Sequence, residues 1–347
     1  AFLLTSVVAF LLGTSLGTAG TVGVALMVMA KSGGVDPNVA AGAIIAGAYF
    51  GDRCSPMSSS ANLVANLTGT ELYKNIRIMF RTAALPLLMS IVIYAFLSLG
   101  QPLSFAGAGM DQEISRVFNL HGIVLLPAAV ILLLSMLKVN VRISMLISIA
   151  SAAVISVLMQ SYSAAEVLSF LVLGFRLEGS EALDGILTGG GIISMWKASF
   201  VIYVSCATAG IFNGTELLRG IEGLFGKSRT RSGLFLNTAA VSVLTAAFGC
   251  NQSVATVLTN QIMGATYTAR QVDRYDLASD LENTGIVLSA LIPWNLAAFV
   301  PTLTMDVSST GFIPYAVYLY LIPLMTYGAL KREEMKQAKR DSENLSA

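Results

Sequence analysis

Residues 39–62 read VAAGAIIAGAYF-GDRCSPMSSSAN, an apolar helical run that passes directly into a polar run containing a proline. Pro56 has no backbone N–H to donate and disfavours helical geometry at Ser55, so we expect the helix to unwind there. Within a membrane, irregular backbone is tolerated only where it is buried in protein or lines water. The stretch therefore predicts a broken membrane helix whose freed carbonyls and hydroxyls face a protein-lined cavity.

The composition is that of an integral membrane protein. The 347 residues are 55% hydrophobic and 12% charged, with a mean hydropathy of +0.72, whereas soluble domains carry about 25% charged residues. Helix-period apolar runs predict an all-α, polytopic helical bundle with about 8–10 membrane segments. The runs lie at 1–30, 39–67, 82–99, 122–137, 143–159, 192–212, 234–248, 276–303 and 312–330.

Several classes of function are disfavoured by composition. The net charge of +1 argues against nucleic-acid binding, and His121 is the only histidine, which excludes a two-histidine metal site. The three cysteines follow no metal or disulfide spacing, so we expect free buried thiols. No cofactor is expected other than transported ions, and the chain's partners are predicted to be the lipid bilayer and small solutes.

Short patterns recur in the two halves of the chain. Broken apolar segments in matching places of two halves indicate the substrate site of a secondary transporter. The matches therefore predict inverted repeats containing broken or re-entrant helices, although small residues are common in membrane helices and short matches also arise by chance. Ala9-Phe10 with Ser15 and Thr18 recurs 238 positions later as Ala247-Phe248 with Ser253 and Thr256, and Asn62-Leu63-Val64-Ala65 recurs 233 positions later as Asn295-Leu296-Ala297-Ala298.

The chain divides into a first half (1–100), a connecting region (101–231), a second half (232–330) and a polar tail (331–347). Basic clusters at 74–81 and 138–142 and the basic tail are expected to be cytosolic, because cytosolic loops attract Lys and Arg. The loop 213–231 is also basic, but its side depends on whether the short run 164–175 spans the membrane. Because Ala1 already lies in an apolar run without an initiator Met, we expect a segment to precede it.

The polar run after the first broken helix offers ligands for sodium. Sodium is a hard cation and prefers carboxylate, carbonyl and hydroxyl oxygens, by extension from calcium and magnesium. The alternative is an interfacial loop in which Asp52 and Arg53 face water. The candidate residues are Asp52, Ser55, Ser58, Ser59 and Asn62.

The second half supplies further carboxylates. Asp276, Asp280 and Thr284 are four apart and share one helix face, whereas Glu282 points elsewhere. Carboxylates within the membrane are costly and are functional candidates by default. Because desolvation favours the protonated acid, such a group can hold either a proton or sodium. We assign Asp52, Asp280 and Glu282 as sodium ligands; the alternative is an acidic loop paired with nearby arginines.

Amide and hydroxyl side chains interrupt the other broken segments. Such groups both donate and accept hydrogen bonds and suit an ion or a polar solute. Small residues at these places also serve helix packing, which is the alternative role. The candidates are Thr14, Ser15 and Thr18 in the first half, and Asn251, Gln252, Ser253, Thr256 and Asn295 in the second.

As a set, these motifs resemble the NhaC-type sodium/proton antiporter family, which also includes malate/lactate exchangers. The resemblance rests on Gly13–Thr18, Gly51-Asp52-Arg53 with Ser55-Pro56, Gly249–Ser253, Asp280-Leu281-Glu282 and Leu291–Asn295. It implies an inverted-repeat ion transporter of the prokaryotic cell (inner) membrane that works by alternating access. The chain departs from the family at Ser59, where an acidic residue is common, so Asp52, Asp280 and Glu282 would have to carry the ion.

The predicted function is secondary active exchange of sodium for protons. The alternative is sodium-coupled or exchange transport of a small organic acid or amino acid, which Ser59 favours because a less negative site better admits a carboxylate. An intramembrane enzyme is disfavoured, because neither a nucleophile–base pair nor a metal motif is present in the sequence.

Overall fold

The protein is all-helical in a computed structural model, with no β-strand among the residues that the structure describes. Those residues are 1–100, 115, 117–119, 121–137, 139, 141–175, 191–196, 199–200, 203–204, 207, 210–211 and 230–346. The connecting region predicted at 101–231 is therefore described only in part. Of the basic loop at 213–231, all but the last two residues lies outside the described residues.

The first half contains six helices. They are α1 (Phe2–Leu12), α2 (Ser15–Thr18), α3 (Val24–Ser32), α4 (Pro37–Cys54), α5 (Ser59–Thr68) and α6 (Leu72–Leu99). A single π-helical turn, Ala19–Gly23, joins α2 to α3. The described part of the connecting region holds α7 (Leu126–Met136), α8 (Val141–Met159) and α9 (Ala164–Leu173).

The second half and the tail contain a further six helices. They are α10 (Arg231–Gly249), α11 (Gln252–Ala269), α12 (Arg274–Leu281), α13 (Val287–Ser289), α14 (Leu296–Thr304) and α15 (Val317–Ser346). A π-helical turn, Glu282–Ile286, joins α12 to α13. Among the described helices, α6 and α10 are long and apolar enough to cross a membrane without interruption.

A tight turn separates the first two helices of each half. Gly13 has a φ of 66° and Thr14 caps α2. Cys250 has a φ of 49° and Asn251 caps α11. Helices α10 and α11 then run antiparallel, since the hydroxyls of Thr245 and Thr259 lie 2.8 Å apart near the turn and those of Thr238 and Tyr267 lie 2.9 Å apart farther away.

The helix break predicted at Pro56 is confirmed. Helix α4 ends at Cys54 and α5 begins at Ser59, with the Ser58 side chain as its N-cap. The second half has a matching break that contains Pro293, between Ser289 at the end of α13 and the N-cap Asn295 of α14. In both breaks a polar side chain satisfies backbone N–H groups that the interruption exposes.

The same local features recur at one constant spacing. Asn251 follows Thr14 by 237 positions, and Asn295 follows Ser58 by the same 237. The helix caps Asp36 and Asp273, and the intrahelical prolines Pro86 and Pro323, are also 237 positions apart. Asn295 therefore has the capping role that Ser58 has in the first half, whereas Asn62, which matches Asn295 by residue type, lies inside α5.

Each turn packs against a break. The Ser55 hydroxyl donates to the Phe10 carbonyl at 2.6 Å, where α1 is about to end. In the second half, Asn295 Nδ2 donates to the Ala246 carbonyl at 2.8 Å, and the Leu296 N–H donates to the Cys250 carbonyl at 2.9 Å. In each half, the turn and the break are therefore irregular backbone segments that contact each other inside the helical bundle.

Helix α1 lies on α4 through glycines. A Cβ atom at Gly47 would overlap the carbonyl oxygen of Phe2 and the hydroxyl of Thr5.

We predict that Gly47→Ala lowers the free energy of unfolding by about 1–3 kcal/mol, the usual cost of overpacking. Gly328→Ala is the control, because a Cβ there would meet nothing within 4 Å. Thermal melting of both purified variants in detergent tests this; equal melting temperatures would contradict it.

Candidate functional site

Asp52 lies in the last turn of α4 and is 5% exposed. Its Oδ2 accepts a hydrogen bond from the Ser15 hydroxyl at 2.9 Å, which links the first turn of α2 to the first break. Its Oδ1 is buried without a hydrogen-bond partner. Asp52 and Arg53 are both buried, so they do not form the water-facing loop considered from the sequence.

Arg53 is fully buried and hydrogen-bonded to neutral side chains. Nη1 donates to the Tyr318 hydroxyl at 3.1 Å. Nη2 donates to the Thr82 hydroxyl at 3.0 Å and also to Asn283 Oδ1. The guanidinium therefore makes no ion pair with its neighbour Asp52; it joins α4 to α6, α15 and the π-helical turn.

Glu282 opens the π-helical turn and is 0% exposed. Both of its carboxyl oxygens are buried without a hydrogen-bond partner, and the charged groups that act on it are Arg53 and Asp52. Burying such a group without partners is costly, and a π-helical turn inside a helix often marks a functional site. The arrangement leaves a carboxyl group whose hydrogen-bonding capacity is free for a proton, a cation or a water molecule.

Asp280 belongs to a different cluster. Its Oδ2 lies 2.6 Å from Arg231 Nη1 and accepts a hydrogen bond from the Tyr267 hydroxyl at 2.5 Å. Of the three predicted sodium ligands, Asp280 therefore has a cationic partner, whereas Asp52 and Glu282 each keep carboxyl oxygens without a hydrogen-bond partner. Across the part of the chain that the structure describes, no group of three or more His, Cys, Asp or Glu is arranged to hold a metal ion.

The other predicted residues mostly support the turns and breaks. Thr14, Ser58, Asn251 and Asn295 are helix caps. Thr18 and Thr256 donate to carbonyls one turn earlier, Asn62 donates to the carbonyls of Pro56 and Ser58, and Gln252 accepts from the Tyr49 hydroxyl. Ser59 and Ser253 are exposed.

Sequence reasoning missed the residues that hold the buried charges. Thr82, Asn283 and Tyr318 surround Arg53, while Tyr267 and Arg231 hold Asp280. Buried tyrosine hydroxyls usually have a hydrogen-bond partner, so tyrosines within apolar helices were the available signal. The sequence signal for Arg231 was limited to its place at the end of a basic loop.

Comparisons with known proteins point to one family. The model of the Na+/H+ antiporter family matches residues 47–330. The Na+/H+ antiporter NhaC of Alkalihalophilus pseudofirmus is 26% identical over 93% of this chain and 71% of its own length. The malate-2H+/Na+-lactate antiporter of Bacillus subtilis is 29% identical over 89% and 68%. The arginine/ornithine antiporter ArcD of Halobacterium salinarum is 27% identical over 94% and 69%.

The pairing of Arg231 with Asp280 is testable by a mutant cycle. We predict that Arg231→Gln lowers the free energy of unfolding by about 3 kcal/mol, because it leaves a buried carboxylate without its cation. Arg231→Gln with Asp280→Asn should recover part of that loss, since no lone charge then remains. Melting temperatures of the single and double variants measure the coupling, and additive losses would show that the two residues do not interact.

Proposed function

The chain belongs to the Na+/H+ antiporter family, and from that premise we propose that it exchanges sodium for protons by alternating access. Its family and relatives are antiporters, not enzymes, and the chain is an integral membrane protein of this transport class. The proposal rests chiefly on Glu282, a fully buried carboxyl group with no hydrogen-bond partner among the described residues.

Glu282 suits the exchange of two monovalent cations. When a proton is bound, the group is neutral and tolerates burial; when the proton leaves, sodium replaces its charge. The two ions therefore compete for one carboxylate, and that competition is sufficient for antiport. The free Asp52 Oδ1 and the carbonyls of the two breaks are the further oxygens available to sodium, which prefers oxygen ligands.

The recurrence at 237 positions supports alternating access. Caps, turns, breaks and intrahelical prolines of the first half reappear in the second half at this spacing. We assign these elements to the inverted repeats predicted from the sequence. In such transporters, broken helices of both repeats surround the substrate near the middle of the membrane, and one repeat rocks against the other.

A second candidate is exchange of a small organic acid or amino acid, coupled to sodium or to another solute. Ser59 favours it, because this exposed hydroxyl stands where the family often has an acidic residue. Arg53 also favours it, since its hydrogen bonds go to neutral groups and its charge is available to attract a carboxylate. Relatives at comparable identity carry out malate/lactate and arginine/ornithine antiport.

We predict that Glu282→Gln abolishes sodium-dependent proton movement. The amide is nearly isosteric with the acid but cannot exchange a proton or balance the charge of sodium. The measurement is internal pH in proteoliposomes of the full-length protein after sodium is added outside. Glu71→Gln is the matched control, because Glu71 is exposed and makes no side-chain cap bond at the start of α6.

Loss of the pH change in Glu282→Gln, with its retention in Glu71→Gln, is the expected result. An unchanged pH response in Glu282→Gln would reject Glu282 as the exchange group. If wild type gives no pH response but exchanges labelled lactate, malate or arginine across the membrane, the second candidate replaces the first.

We also predict that Ser15→Ala raises the sodium concentration for half-maximal exchange by about tenfold, the effect of losing one hydrogen bond to a charged group. Ser15 donates to Asp52 and so fixes its carboxylate. Because protons compete with sodium, the half-maximal concentration should also rise as pH falls, in wild type and variant alike. A concentration independent of pH between about 6 and 8 would contradict competition at a single carboxylate.

A further inference from the structure

A polar cavity of about 380 Å³ opens between α6, α12, α15 and the start of α10. Its lining includes five charged side chains, which are Arg81, Arg231, Asp276, Asp280 and Glu333. Three hydroxyl-bearing residues, Thr82, Ser279 and Thr326, also line it. Ionisable side chains that line a cavity between membrane helices often mark an ion or substrate pathway.

The hydroxyls of the cavity are hydrogen-bonded to two residues that adjoin Asp52 and Glu282 in the chain. Thr82 accepts from Arg53 at 3.0 Å, and Thr326 accepts from Asn283 Nδ2 at 3.2 Å. Arg53 and Asn283 are hydrogen-bonded to each other. A set of side-chain hydrogen bonds therefore leads from the cavity to Arg53, whose charge acts on Glu282.

The cavity lies at the end of the molecule that carries the tail. Glu333 belongs to α15 just after Lys331 and Arg332, and the neighbouring Glu334 accepts hydrogen bonds from Ser232 at 2.6 and 2.7 Å. The basic cluster at 74–81, on α6, contributes Arg81 to the same cavity. Because basic residues concentrate on the cytoplasmic side, the cavity faces the cytoplasm.

The corresponding place in the first half is apolar. A cavity of about 300 Å³ there is lined by Phe2, Ala30, Val39, Ala43 and Tyr94, among others. Val39 and Ala43 are the positions 237 residues before Asp276 and Asp280, and Ala30 is the position 237 residues before Tyr267. The matching helix positions therefore do not require charge, and of these two cavities the one between α6, α12 and α15 carries the charged side chains.

We propose that the charged cavity is the cytoplasmic access route to Glu282 and that Arg53, positioned by Asn283, is the gate between them. This deepens the proposed function, since it takes Glu282 as the exchange group. A guanidinium in the path repels a cation while it stays in place. Its partners are hydroxyl and amide groups, which bind a guanidinium less strongly than a carboxylate does, so they allow it to move.

Cys54 provides a native probe next to the gate residue. It is a free thiol, 0% exposed, and adjacent to Arg53 in α4. The full-length protein with Cys206→Ser and Cys250→Ser would be treated with a membrane-impermeant cationic methanethiosulfonate. Everted vesicles expose the cytoplasmic face to the reagent, and right-side-out vesicles expose the opposite face.

The gate variant is Thr82→Val, which removes one hydrogen-bond acceptor of Arg53. We expect Cys54 to react about tenfold faster in this variant than in the protein with Thr82 intact, because Arg53 loses one hydrogen bond to a neutral group. The faster reaction should occur only in everted vesicles. Thr268→Val is the matched control, because that exposed threonine bonds only the Gly264 carbonyl of its own helix. Thr326→Val, which removes a partner of Asn283, is the second gate variant.

The side of the cavity is tested separately with Ala329→Cys, in a background that also carries Cys54→Ala. Ala329 lines the cavity and is exposed, so it should react only in everted vesicles. Reaction from the outer face would overturn the access route, and equal Cys54 rates in both gate variants and the control would overturn the gate. Neither result depends on which ion is exchanged, so failure here is distinct from failure of the Glu282→Gln flux experiment.

Discussion

The buried guanidinium of Arg53 is the interaction on which the centre of the protein depends. A fully buried charge costs several kcal/mol unless hydrogen bonds and an opposite charge compensate it. Arg53 obtains its hydrogen bonds from Thr82, Tyr318 and Asn283, which belong to distant parts of the chain. In this structure these hydrogen bonds join α4 to α6, α15 and the π-helical turn, and they hold a positive charge beside Glu282.

The same arrangement explains how Glu282 is tolerated without a partner of its own. Arg53 and Asp52, neighbours in the last turn of α4, both act on it, so the cluster combines one basic and two acidic groups. A cluster of this kind is electrically balanced when a cation joins the two carboxylates and the guanidinium. In the proposed exchange, cation binding therefore reduces the cost of this burial.

Broken helices within a membrane are stable only if their backbone groups are satisfied. Here Ser58 and Asn295 cap the helices that follow the breaks, while the carbonyls of Phe10 and Ala246 accept side-chain hydrogen bonds from Ser55 and Asn295, the break residues of their own halves. Each turn thus provides a carbonyl that accepts a hydrogen bond from the neighbouring break. These hydrogen bonds hold irregular backbone at the centre of the bundle, next to Asp52 in the first half.

What could be predicted from the sequence was local. Pro56 fixes the first break because its effect acts on the adjacent peptide units, and the helix caps follow from short side chains at defined places. Matching identical residues aligned Asn62 with Asn295. In the structure it is Ser58 that has the same role as Asn295, because serine and asparagine both cap the helix that follows a break. The separate positions of Asp280 and Glu282 were anticipated from helix periodicity. The partners Arg231 and Tyr318 were not, because long-range contacts leave no local pattern.

The two halves therefore share backbone geometry and differ in charge. Positions 237 residues apart carry Val39 and Asp276, Ala43 and Asp280, and Ala30 and Tyr267. In the alternating access that we propose, similar caps and breaks in the two halves allow one repeat to rock against the other. The different linings make the two cavities chemically distinct, apolar in the first half and charged in the second. Ion gradients set the direction of such exchange, whereas the rate at which each side admits an ion depends on this difference in lining.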